Sequence, residues 1–238
     1  MTEEHGRRPA RQVPSRVPQG LLVLCVLTGI MGTVFLVLTG DVWRANHRVG
    51  LDRTAANFGI VAGEEGPLGG HTPRAELAER LGSRTGVGLA AAALFGLALL
   101  WRQWVAGLVS LLSPVACFVL IEYVAKPLIN QPIPFGGRAY PSGHAAGVTA
   151  VALRALILLY RRWGALAAIL FAPLGVAAIV SVGLGVLALE FHHYPTDVVG
   201  GAALAGAVVL TLTAVLTWAT HAFCTSVGHP PVPAPKRP

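Results

Sequence analysis

The segment ALAAILFAPLGVAAIVSVGLGVLAL, residues 165–189, contains no charged side chain and decides the fold. A helix of that length, at about 1.5 Å per residue, exceeds the roughly 30 Å hydrocarbon core of a bilayer. Comparable apolar runs lie on both sides of it: Leu21–Thr39, Val87–Trp101, Val105–Val124, Ala145–Tyr160 and Val198–Trp218. The connections Arg102-Gln103 and Arg161-Arg162-Trp163 are so short that the runs they join must be antiparallel. The expected fold is an all-α membrane protein of about six transmembrane helices in a bundle. Only 12% of the residues are charged, about half the share of a soluble domain, which excludes an ordinary globular core.

The expected organisation is a disordered cytoplasmic tail over 1–19, a six-helix domain over 20–220 and a Pro-rich tail over 221–238. Within the domain, 41–84 forms an outer loop. Thr72-Pro73 marks a helix start there, and Leu77 and Leu81, four apart, suit a helix lying on the membrane surface. The first apolar run is too long for a signal-peptide core and reads as a retained anchor.

The net charge of +7 comes from arginines in the N-terminal tail and short turns, with no nucleic-acid-binding signature. Those arginines serve topology and anionic lipids. The two short turns carry no acids, so tails and turns belong in the cytoplasm and the remaining loops face outward across the plasma membrane. Arginine outnumbers lysine heavily, a bacterial GC-rich bias. Cys25, Cys117 and Cys224 are odd in number and widely spaced, giving neither a disulfide framework nor a zinc site. Membrane lipids are the expected surroundings, nucleic acid is not a partner, and oligomeric state is left open.

Chemistry concentrates in two later outer loops. PSGH, Pro141 to His144, immediately precedes an apolar helix, and HYPTD, His193 to Asp197, precedes another. Two spans separate the motifs, which therefore return to the same membrane face. Ser142 reads as an ordinary N-cap, or as part of a helix start whose N–H groups and dipole receive a phosphate, with Gly143 allowing close approach. Asp197 either complements the dipole of the last helix or bonds the His193 ring and fixes its tautomer. Lys126 ends the preceding helix, and Glu122 four residues earlier is placed to pair with it. Arg154, inside an apolar run, is expected to snorkel toward the cytoplasmic side near Arg161.

Lys126, PSGH and HYPTD together resemble the type 2 phosphatidic acid phosphatase family, which shares its site with vanadium haloperoxidases. Family members carry K-x6-R-P, PSGH and S-R-x5-H-x3-D. The resemblance implies that His193 is a nucleophile forming a phosphohistidine, oriented by Asp197, while His144 protonates the leaving oxygen. It implies that Lys126, Ser142 and the Gly143 N–H hold the phosphate and that neither metal nor cofactor is required. The substrate would be a lipid-linked phosphate monoester or diphosphate. His192 has the wrong spacing to Asp197 and is secondary.

The chain departs from the pattern at both phosphate-binding arginines. Ile133 stands at one position and Leu187 at the other, with Val186 in place of the adjacent Ser. Arg138, three residues before PSGH and after Gly136-Gly137, is the preferred substitute; the alternative is a loop arginine meeting lipid headgroups. A binding protein that has lost catalysis, and a phosphoryl transferase, are the competing functions.

Overall fold

The computed structural model describes residues 19–45, 52, 73–131, 138–189 and 193–226. Expectations that fall on 1–18, on 46–51 and 53–72 of the first loop, on Ile133, Gly136-Gly137 and His192, and on 227–238 lie outside the described residues. The regular elements are helices: α1 (Gln19–Ala45), α2 (Pro73–Gly82), α3 (Arg84–Leu100), α4 (Trp104–Ile129), α5 (Gly143–Trp163), α6 (Ala165–Leu189) and α7 (Pro195–Ser226). Five of them are long and apolar enough to cross a membrane. A sixth span results if α2 and α3, bent by 57° at Ser83, count as one broken crossing. The chain is a multi-pass membrane protein.

Element ends follow local chemistry. Pro73 and Pro195 open α2 and α7, where the missing N–H costs nothing. Ser83 and Ser142 cap α3 and α5 with their hydroxyls. Gly164 ends α5 with φ 86°, a conformation in the left-handed half of the map that favours glycine. The last helix runs to Ser226, beyond the end expected at 220, because Ala219 to Phe223 continues its apolar character past Trp218.

Helix α5 is the hub, packing against α2, α3, α4, α6 and α7. Lipid chains are as apolar as leucine, so close backbone approach rather than water exclusion holds such a bundle together. Small residues supply that approach: Ala146 and Ala150 of α5 and Ala205 of α7 meet Cys117 and Ile121 of α4. By contrast α1 and α6 bury little of their length and present leucines, valines and isoleucines outward.

Arg154 overturns its sequence-based placement. It is buried, with Nη2 donating to the Ala106 carbonyl at 2.7 Å, Nη1 to Thr213 Oγ1 at 3.0 Å and Nε to Ser110 Oγ at 3.4 Å. Because α4 and α7 enclose this stretch of α5, the guanidinium has no route to the aqueous boundary and is satisfied between helices instead.

Candidate active site

The two motif helices begin side by side. The Ser142 amide donates to the Asp197 carbonyl at 2.9 Å, joining PSGH to HYPTD backbone to backbone. Gly201, one turn after Asp197, makes that contact possible: a Cβ there would strike the Ser142 carbonyl. The loop leading into PSGH is anchored by Tyr140, whose ring stacks on Phe35 of α1 at 6.1 Å between centroids. Its phenol lies 3.1 Å from Thr39 Oγ1 and donates to the Phe35 carbonyl at 3.4 Å. Burial pushes that phenol up to about 12, so it remains neutral.

At the start of α5, Ser142 is fully buried and its Oγ accepts from the Ala145 amide at 3.4 Å. The Gly143 N–H at the helix start has no acceptor among the described residues. His144 follows, packed against Gly82 at the end of α2. A Cβ on Gly82 would come within 3.2 Å of His144 Cβ and 2.6 Å of Val182 Cγ1. Glycine therefore sets how closely α2 covers the histidine.

At the start of α7, Asp197 is fully buried. Its Oδ2 accepts from the Tyr194 amide at 2.7 Å and lies 3.5 Å from His193 Nδ1. That separation is long for a hydrogen bond. Asp197 Oδ1 is buried with no partner among the described residues. The chain entering α7 thus folds back so that the carboxylate faces the imidazole four residues earlier. What the sequence does not announce is Asp52. This buried carboxylate, from the long first loop, accepts from the Thr196 amide at 3.0 Å and from Thr196 Oγ1 at 2.8 and 2.9 Å. It satisfies the start of α7 and places negative charge at the positive end of the helix.

Lys126 reaches the site by a local change of helix geometry. Pro127 cannot donate to the carbonyl four residues back. The helix widens just before it, over Leu120–Ala125, and the Lys126 amide donates instead to Ile121, five residues back. Such π-type turns concentrate at functional sites. Lys126 Nζ lies 2.7 Å from Glu122 Oε1, the pair expected from their spacing. Asn130 then ends the helix in the left-handed region, φ 50° and ψ 40°, and its Oδ1 accepts from Arg138 Nε at 2.9 Å.

A cavity of about 1230 Å³ gathers these groups. Lys126, Arg138, Gly143, His144 and His193 line it, together with Glu122, Asn130 and Arg84. It continues between α3 and α4 along Val87, Ala91, Leu111, Pro114, Val115 and Phe118. Leu111 lies roughly 22 Å along the helix from Lys126, so the apolar wall has the length of a lipid chain segment. Ser142 and Asp197 stand behind the lining rather than on it. Of the two positions that replace family residues before HYPTD, Val186 and Leu187 are both buried.

The model of the PAP2 superfamily matches residues 89–221, more than half of the chain and a stretch containing Lys126, PSGH and HYPTD. No curated protein and no solved structure matches the chain.

Proposed function

The chain belongs to the PAP2 superfamily, a family of phosphatases acting on phosphate esters, and from that premise we propose that it removes phosphate from a lipid-linked phosphate monoester or diphosphate at the outer membrane face. The observation that carries the lipid substrate is the cavity. Its histidines and cations are continuous with an apolar trough between α3 and α4, so a headgroup can enter while its chain stays among the helices.

The reaction follows from the site. His193 Nδ1 faces Asp197, which leaves Nε2 to attack phosphorus. As the N–P bond forms, the P–O bond to the alcohol or phosphate leaving group breaks, and His144, protonated, gives its proton to the departing oxygen. Water then attacks the phosphohistidine, His144 takes the water proton, and inorganic phosphate leaves with His193 restored. Lys126, Arg138 and the Gly143 N–H receive the charge spread over the phosphoryl oxygens. Ser142 acts by fixing the helix start that presents Gly143. Arg138 takes part of the role left open at Ile133 and Leu187, its side chain steered by Asn130. Cationic side chains thus occupy the role a metal plays elsewhere.

The test is phosphate release by the purified protein from a panel of phosphatidic acid, phosphatidylglycerol phosphate and polyprenyl diphosphate, with and without EDTA. Expected are turnover on at least one lipid, a bell-shaped pH profile and no effect of chelator. Arg138→Ala should lower kcat/KM by about two to three orders of magnitude, the scale of one lost charge-stabilising donor. Turnover of no lipid, with lipid phosphate still bound, would make the protein a binding protein instead.

A further inference from the structure

Arg84 opens α3 at the corner where α2 bends into it, and it lines the same cavity as Lys126, His144 and His193. Its Cζ lies 4.5 Å from the centroid of the Phe118 ring on α4. We propose that Arg84 is a phosphate-binding residue of this site, supplying from α3 a guanidinium that Ile133 and Leu187 do not. The assignment rests on the reading that the cavity receives a phosphate.

Three observations carry it. The first is the state of the other cations. Lys126 is held by Glu122 at 2.7 Å, and Arg138 has its Nε engaged by Asn130 at 2.9 Å. Among the described residues no carboxylate pairs with Arg84, whose guanidinium lies over the face of the Phe118 ring. A guanidinium stacked on a ring is oriented by it yet keeps its N–H groups in the plane, directed away from the ring and available to a two-pronged acceptor.

The second is that its anchorage is built. Ser83 Oγ accepts from the Gly86 amide at 3.1 Å and donates to the Arg80 carbonyl at 2.7 Å, fixing the corner from both sides. Gly86 permits the bend, since a Cβ there would strike the Arg80 carbonyl. The third is position. Phe118 lies two turns before Lys126 on α4, where the wall changes from charged residues to Pro114 and Val115. A phosphate ester has its charged oxygens on one side of that boundary and its chain on the other. Arg84 stands where the two meet.

The competing role is a boundary arginine that touches membrane headgroups and never the reacting phosphate. Full-length protein in a neutral detergent, titrated with inorganic phosphate in a calorimeter, separates the two because no anionic headgroup is present. Arg84→Ala should weaken phosphate binding by tenfold or more with an unchanged melting temperature. Arg84→Lys should recover part of the loss, and Phe118→Leu, which keeps the charge but removes its platform, should weaken binding a few-fold. Wild-type affinity in Arg84→Ala would overturn the assignment, as would a wild-type protein that takes up no phosphate. Lipid turnover measured on the same preparations keeps the two readings apart. Phosphate bound through Arg84 without release from any lipid would sink the phosphatase and leave the site.

Discussion

The two helices that carry the histidines start in opposite ways. Helix α5 has a local cap: Ser142 Oγ accepts from the Ala145 amide, three residues along and one residue past PSGH. Helix α7 depends on a distant residue: Asp52, 144 positions away in sequence, accepts from both the amide and the hydroxyl of Thr196. The locally capped start brings His144 and the Gly143 amide to the cavity. The remotely capped start brings His193, the group proposed to make and break a covalent bond. The histidine proposed as nucleophile is thereby coupled to the placement of Asp52, whereas the cap beside His144 on α5 is local. The comparison predicts that loss of the Asp52 cap disturbs α7 from a distance, whereas loss of the Ser142 hydroxyl disturbs only the start of α5.

The largest effects should therefore lie at α7. His193→Ala is expected to abolish turnover, and trapping with an alkaline denaturing quench, which preserves the acid-labile N–P bond seen in wild type, should show no phosphohistidine. Asp197→Asn keeps the packing but presents the wrong partner to Nδ1, and kcat should fall by about four orders of magnitude, as when other catalytic histidines are held in the wrong tautomer. KM should hardly move, because Asp197 does not line the cavity. Turnover surviving either change would detach catalysis from this start.

Next in size is Asp52. Asp52→Ala leaves the Thr196 amide and hydroxyl buried without an acceptor, a loss of about 2–6 kcal/mol for two such groups. The melting temperature should drop, and kcat should fall more than kcat/KM values for phosphate binding alone would require, because His193 shifts with its helix. Asp52→Asn, which still offers one oxygen, should fall between wild type and Ala. A first-loop change that alters neither melting nor kcat would show that the two starts are equally self-sufficient.

The same contrast explains what the sequence could and could not tell. Every span was legible, because membrane crossing leaves an unbroken apolar run, and Ala165–Leu189 is bounded as the run predicts. PSGH and the His193–Asp197 spacing were legible because each is a short local stretch at the start of one helix. Asp52 was not, since an aspartate in a polar loop looks the same whether it caps a helix or meets water. Arg154 was misplaced for a related reason: its partners Ser110, Thr213 and Ala106 lie on two other helices, and only packing brings them together. Gly200-Gly201, at the start of an apolar helix, was the one signal that a backbone approaches there. Arg84 carried no motif at all.

The smallest effect should come from Ser142, and it is the sharpest test of what a locally capped start does. The Oγ is buried and spent as an acceptor toward Ala145, off the cavity lining. Ser142→Ala removes the cap, which costs about 1 kcal/mol, and should lower kcat/KM only a few-fold as the Gly143 amide loosens. The decisive variant is Ser142→Gly. Glycine at a cap position loses only a few tenths of a kcal/mol, because its freer backbone fits the cap conformation. If the hydroxyl serves the helix, Gly should restore most of the stability and activity that Ala loses. If it donates to a phosphoryl oxygen, Gly and Ala both lack that donor and should be equally impaired, by about two orders of magnitude or more in kcat. Equal impairment would move Ser142 from behind the site onto it, and α5 would no longer differ from α7 in carrying its chemistry apart from its cap.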